Sequence, residues 1–135
     1  MMVEGYGVGG NRTTDKSLIK NIYEPVYNES TSERVLLNAD GTTYTVPTGK
    51  NFVISYLAGW DNLTSGAPFD LKQKPASGGS YETIFPRFGG GTFSGSNSWT
   101  YTVTIVVPAG YRVYRKGNTS GRGMTMTCSG LEVTA

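Results

Sequence analysis

Apolar and polar residues alternate with a period of two along most of this chain, in short runs punctuated by Gly, Pro, Asn and Asp. That is the signature of half-buried strands joined by turns. The clearest run lies at 99–107, where Trp99, Tyr101, Val103, Ile105 and Val107 fall on one side of an extended strand and Thr100, Thr102 and Thr104 on the other. Near the end, Met124, Met126 and Cys128 alternate with Thr125, Thr127 and Ser129, and then Leu131 and Val133 alternate with Glu132 and Thr134. Phe52, Ile54 and Tyr56 share one face of another run, with Val53, Ser55 and Leu57 on the other. Both faces there are apolar enough to predict a central strand. Shorter strands are predicted at 34–37, 68–74, 81–85, where Pro86 restricts or ends the run, and 111–115. The segments 59–66, 89–98 and 116–123 read as loops, and Asp40-Gly41 as a hairpin turn. One stretch breaks the period: Leu18, Ile19, Ile22 and Tyr23 have helical spacing behind Thr14, a residue suited to an N-cap. This predicts one or two helical turns, although a strand from Ser17 to Tyr23 satisfies the pattern nearly as well.

A duplicated turn organises these runs. Val46-Pro47-Thr48-Gly49 and Val107-Pro108-Ala109-Gly110 each end one apolar run and open the next. Proline pre-sets φ for position i+1 of a type I turn, and a glycine at i+3 can take the left-handed conformation. Each copy therefore predicts a tight hairpin or corner with a bulge. The residues that follow differ in chemistry, Lys50-Asn51-Phe52-Val53 in one and Tyr111-Arg112-Val113-Tyr114 in the other, so the repeat is architectural. The pattern predicts an all-β fold, an antiparallel jelly-roll-like β-sandwich of about eight strands. At 135 residues the chain is long enough for one domain, with residues 1–13 as an arm and 14–135 as the sandwich. The arm combines Gly5, Gly7, Gly9, Gly10 and Asn11 with Tyr6 and Val8, too glycine-rich to fold alone and too apolar for a pure linker.

Composition narrows the chemistry. There is no His, which removes Ser-His and Cys-His nucleophile pairs. A single cysteine, Cys128, allows no internal disulfide and reads as a small buried residue. No zinc set, phosphate-binding loop or dinucleotide fingerprint is present, so no metal and no cofactor is expected. Asp61, Asp70 and Glu82 are the carboxylates that strand pairing could bring together, but as ordinary strand-edge and loop acids they point to no reaction. The start of the chain lacks the basic and apolar blocks of a signal peptide, and no window is long enough to span a membrane, so synthesis in a cytoplasm is expected.

Charged residues make up 16% of the chain, fewer than a soluble domain usually carries, which points to a surface partly covered by neighbours. The net charge of +2 is unevenly spread: residues 83–135 hold Arg87, Arg112, Arg115, Lys116 and Arg122 against Glu132 alone. An acidic partner fits that half, but five spread cations lack the density of a nucleic-acid groove, and solvated strand ends and loops are the plain reading. Trp60, Asp61 and Asn62 in one loop, with Trp99 beyond the Gly/Ser-rich stretch, have the residue types of a sugar site, an apolar plate with polar partners. Trp99 also starts an inward-facing series, which suits core or subunit contact.

The duplicated Val-Pro-x-Gly turn, the N-terminal arm, the lack of a catalytic set and the Thr-rich alternating strands together resemble the jelly-roll decoration (cement) proteins of tailed-bacteriophage capsids and the related tips of head or tail fibres. The pattern covers residues 35–133. The resemblance implies a non-enzymatic virion structural protein, a homotrimer that binds a major capsid protein or another virion protein and is assembled in the host cytoplasm. Tyr6, Val8, Arg112, Arg115, Lys116 and Arg122 are the interface candidates under this reading. The alternative is a glycan-binding module of a fibre tip or host-attachment protein, using Trp60, Asp61, Asn62 and Trp99. Neither nucleic acid nor a membrane is an expected partner.

Overall fold

The computed structural model describes residues 18–24, 32–61, 69–90, 97–117 and 124–135. The arm, the capping Thr14, and the candidates Asn62 and Arg122 lie outside them. The described residues form eight strands: β1 (Leu18–Glu24), β2 (Glu33–Val35), β3 (Lys50–Asp61), β4 (Phe69–Pro75), β5 (Glu82–Phe88), β6 (Asn97–Val107), β7 (Tyr111–Gly117) and β8 (Met124–Thr134). They form two four-stranded antiparallel sheets, sheet I in the order β1-β8-β3-β6 and sheet II in the order β2-β7-β4-β5. Every strand of the first half pairs with its mirror in the second: β1 with β8, β2 with β7, β3 with β6 and β4 with β5. The chain is thus one long antiparallel ribbon, bent at the β4–β5 turn and rolled up so that β3 also meets β8 and β4 meets β7. That is the jelly roll expected from the sequence.

The duplicated turns are the corners of the roll. The Pro47 turn leads into β3 of sheet I, and the Pro108 turn carries the chain from β6 of sheet I to β7 of sheet II. The two corners bond to each other, with Gly110 N donating to the Val46 carbonyl at 2.8 Å and Val46 N to that of Tyr111 at 2.9 Å. Their geometry corrects the expected turn type. Lys50 N bonds to the Pro47 carbonyl and Tyr111 N to that of Pro108, so proline sits at position i and glycine at i+2. With φ of 78° at Gly49 and 81° at Gly110, this is the type II arrangement, where only glycine is comfortable at i+2.

Four more local expectations change. Residues 18–24 form a strand along β8, not helical turns; Ile22 and Glu24 point inward and Ile19 outward at 81% exposure. Helical spacing misled here because β8 offers a ladder partner to every residue of the segment along one side, while an isolated turn or two of helix is marginal in water. The segment 59–61 is the end of β3 and not part of a loop. β5 continues through Pro86 to Phe88, which an edge strand tolerates because its outer N–H groups need no partner. In β3 a bulge between Ile54 and Tyr56 switches the inward phase, so Phe52 and Ile54 are followed inside by Leu57, and Tyr56 turns out. β8 has no such switch: Met124, Met126 and Cys128 face in as expected, but so does Glu132, leaving Leu131 outside. Gly130 lies opposite the bulge, where a Cβ would collide with the Val53 carbonyl oxygen.

The core between the sheets is apolar, with Phe52, Ile54, Leu57, Phe69, Leu71 and Val113 fully buried. A charged cluster joins the two sheets across it. Arg115 of sheet II, 0% exposed, donates from Nη2 to Glu24 Oε2 of sheet I at 2.8 Å, and Arg34 Nε reaches the same oxygen at 3.0 Å. Desolvating two ions is repaid only when each keeps its partner, so loss of one partner is far more damaging than loss of both. Glu24→Ala is therefore expected to lower the unfolding free energy by about 3–5 kcal/mol in urea titrations. The joint change Glu24→Leu with Arg115→Met is expected to recover most of that loss, and a wild-type midpoint for Glu24→Ala would show that the pair does not hold the sheets.

Candidate functional site

Three carboxylates among the described residues are buried and invite a chemical reading, and each is occupied as a structural tie. Asp61 closes β3 on the inner side: its Oδ2 accepts from Trp99 Nε1 at 2.8 Å and Gly90 N at 2.7 Å, and Oδ1 from Asn97 Nδ2 at 3.4 Å. Glu132 accepts from the Tyr44 hydroxyl at 2.7 Å. Burial first, and then that hydrogen bond to an anion, push the Tyr44 hydroxyl well above its ordinary pKa. Glu24 is held by the two arginines. Asp61, Asp70 and Glu82 do not converge. Asp61 faces the core, Asp70 accepts from Arg87 N at 2.7 Å, and Glu82 from Gln73 Nε2 at 2.7 Å. Among the described residues no group of His, Cys, Asp or Glu is arranged to hold a metal ion.

The sugar-site candidates separate in the same way. Alternation along β3 turns Trp60 to the outer face of sheet I, beside Thr125 and Ser98, and turns Asp61 inward. Trp99, 9% exposed, also points in, where it packs edge-on against Phe88 and lies over Gly59; a Cβ there would collide with the indole. Asp61 and Trp99 thus join each other in the core, and Trp60 stands apart on the surface. Of the interface candidates, Arg115 is inside the sandwich, while Arg112 and Lys116 alternate outward on β7. Arg112 Nε donates to Thr45 Oγ1 at 3.0 Å.

The outer faces of the two sheets differ in kind. On sheet II, Lys72, Lys74, Arg112 and Lys116 share the face with Glu33 and Asp70. Lys72 pairs with Glu33 at 3.7 Å, and Lys74 lies 4.4 Å from the ring centre of Tyr81. On sheet I, the outward positions are Ile19, Asn21 and Tyr23 on β1, every odd residue from Thr125 to Val133 on β8, Asn51, Val53, Ser55, Tyr56, Ala58 and Trp60 on β3, and every even residue from Ser98 to Val106 on β6. None of these carries a charge. One register row crosses all four strands as Ile19-Leu131-Val53-Val106, with Ile19, Leu131 and Val106 exposed. Periodicity within single strands could not reveal this row, because it exists only once the four strands are aligned. A shallow depression of about 430 Å³ lies beside this face, between Tyr23 and the 38–41 turn. Asp40 in its lining accepts from the Thr42 hydroxyl and N–H, which hold its pKa below the ordinary value.

No family model and no curated protein matches this chain. The remaining reactive group, the Cys128 thiol, is fully buried, and burial pushes its pKa far up, so it offers no thiolate near neutral pH. Cys128 is accordingly expected to react with Ellman's reagent only as the chain unfolds, with labelling that follows the urea transition. Rapid stoichiometric labelling of the native protein at pH 8 would contradict this placement.

Proposed function

We propose that this chain is a non-enzymatic virion structural protein, a decoration or cement protein that binds a capsid shell as an oligomer. The observation that carries the reading is the division of charge between the outer faces of the sandwich. A face four strands wide with no charge, crossed by an exposed apolar row, is costly to leave in water and is the kind of surface that neighbours cover. The opposite face, where four cations outnumber two carboxylates, suits an acidic protein surface and gives association a salt-dependent component. The buried acids serve as ties within the fold, which fits a role in holding surfaces and not in turning over a substrate. The arm, 1–11, is the segment assigned to clamp the shell.

Cosedimentation with shells assembled without this protein tests the reading. Saturable binding is expected that weakens between low and physiological salt, and that falls at least tenfold when Lys72, Lys74 and Arg112 are replaced together by Glu. Deleting residues 1–11 is expected to abolish binding while the circular dichroism spectrum and unfolding midpoint stay unchanged. No binding even at low salt would sink the proposal, and a folded truncation that still decorates shells would remove the arm from it.

A second reading, a glycan-binding module, is favoured by Trp60, which lies outward among Thr and Ser hydroxyls with Tyr56 on the same strand face. An aromatic plate ringed by hydrogen-bonding groups suits a sugar ring. Glycan-array binding that disappears in a folded Trp60→Ala variant would support it, and silence across a broad array would rule against it.

A further inference from the structure

The four sheet edges are treated very differently by the sequence. An edge strand presents unpaired N–H and C=O groups, and proteins blunt such edges with shortness, charge, proline, bulges or a covering segment. On sheet II, β2 is three residues long and begins Glu33-Arg34, and β5 carries Pro86, two register shifts against β4, and Arg87 at a φ of 56°. On sheet I, the β1 edge is capped where Tyr23 exchanges two backbone hydrogen bonds with Leu37, both 2.8 Å. β6 has only one of these devices, a register shift against β3 between Ile105 and Thr102. It runs for 11 residues, Asn97–Val107, without a charge, proline or glycine. It pairs with β3 on one side and, among the described residues, with no strand on the other. Its inward side chains Tyr101, Val103 and Ile105 are only half-buried, although they face the core.

The geometry points to β6 as a seam between two copies of this chain, paired edge to edge and antiparallel about a two-fold axis near Thr102, so that two sheets I become one of eight strands. The occupant is a second copy because the edge complements itself. About that axis Thr102 meets Thr102 of the second copy, Thr100 meets Thr104, and Ser98 meets Val106. No pair brings like charges together, and cross-strand Thr pairs are favourable. An 11-residue antiparallel ladder supplies about ten main-chain hydrogen bonds, the same source of affinity that strand addition uses elsewhere. The assembly closes after two copies, because the capped β1 edge stops further growth. The seam also extends the uncharged outer face unbroken across both copies. It stands independently of the virion reading: shell binding can fail while the dimer persists, and the reverse.

Light scattering and sedimentation of the full chain test it, with Thr102→Lys as the probe and Ile19→Lys as the control at the far edge of the same face. Both positions are exposed, so neither change disturbs the core. The expected result is a wild-type mass twice the 14.5 kDa of one chain. Thr102→Lys should be monomeric at the same concentration with its unfolding midpoint retained, and Ile19→Lys should remain dimeric. A monomeric wild type would overturn the seam. So would the trimer implied by capsid decoration proteins, if its mass is untouched by Thr102→Lys, and so would a dimer broken by Ile19→Lys but not by Thr102→Lys.

Discussion

A carboxylate and a guanidinium meet at 2.8 Å in the interior of this protein, and they come from opposite sheets: Glu24 from β1 and Arg115 from β7. Apolar contacts between two sheet faces are non-directional and allow sliding, whereas a buried ion pair is satisfied in one arrangement only. For Glu24 to reach Arg115, β1 must pair with β8 in the register that brings Glu24 opposite Met126, and β7 must place Arg115 opposite Arg34 and Leu71. The pair therefore ties the edge strand of sheet I to the inner strand β7 of sheet II, and Arg34, on the edge strand β2, completes the cluster from the solvent side. Arg115 also stacks near the Phe69 ring, with the guanidinium carbon 5.6 Å from its centre, so the cation is sheltered by an aromatic face as well as paired.

The rest of the interior follows from that alignment and from three glycines. The β3 bulge moves the inward set from even to odd positions, and the space it needs exists because Gly130 has no side chain. Past the bulge, Gly59 lets the Trp99 indole lie flat against the strand, which brings Trp99 Nε1 to Asp61. A third glycine effect is found at Gly89, where a φ of 82° and the close Phe69 ring exclude a side chain and let Gly90 N reach the same carboxylate. Local backbone geometry is thus converted into satisfied buried polar groups, which is what a sandwich containing buried acids requires.

Placing the charged residues inside the sandwich and on one face leaves the other face bare. Sheet I turns Thr, Ser, Asn, Tyr, Trp and aliphatic residues to the outside, while sheet II keeps the cations. The uncharged face, the basic face and the outer edge of β6, which pairs with no strand among the described residues, are three surfaces of distinct character on one small domain. Of the few charges the chain carries, Glu24, Asp61, Arg115 and Glu132 are buried, which leaves still fewer to solvate the surface.

Much of the fold was legible in the residues alone, because strand identity rests on period-two alternation and turn chemistry, both local properties. β6 and the first part of β8 could be read side chain by side chain, and the duplicated Val-Pro-x-Gly turns marked the corners. Where the reading failed, a distant partner made the decision. Helical spacing at Leu18–Glu24 lost to the ladder offered by β8. The phase of β3 turned on a bulge opposite Gly130. Arg115 looked like a surface cation and became a core residue because Glu24, 91 positions away in sequence, waits for it across the sandwich. The candidate surface was the least legible part, since an apolar row built from Ile19, Leu131, Val53 and Val106 draws one residue from each of four strands. What the chain determined by itself was the inventory of strands and corners. Which face each side chain meets, and which faces remain for partners, was decided by register, because register is a relation between segments that no single segment contains.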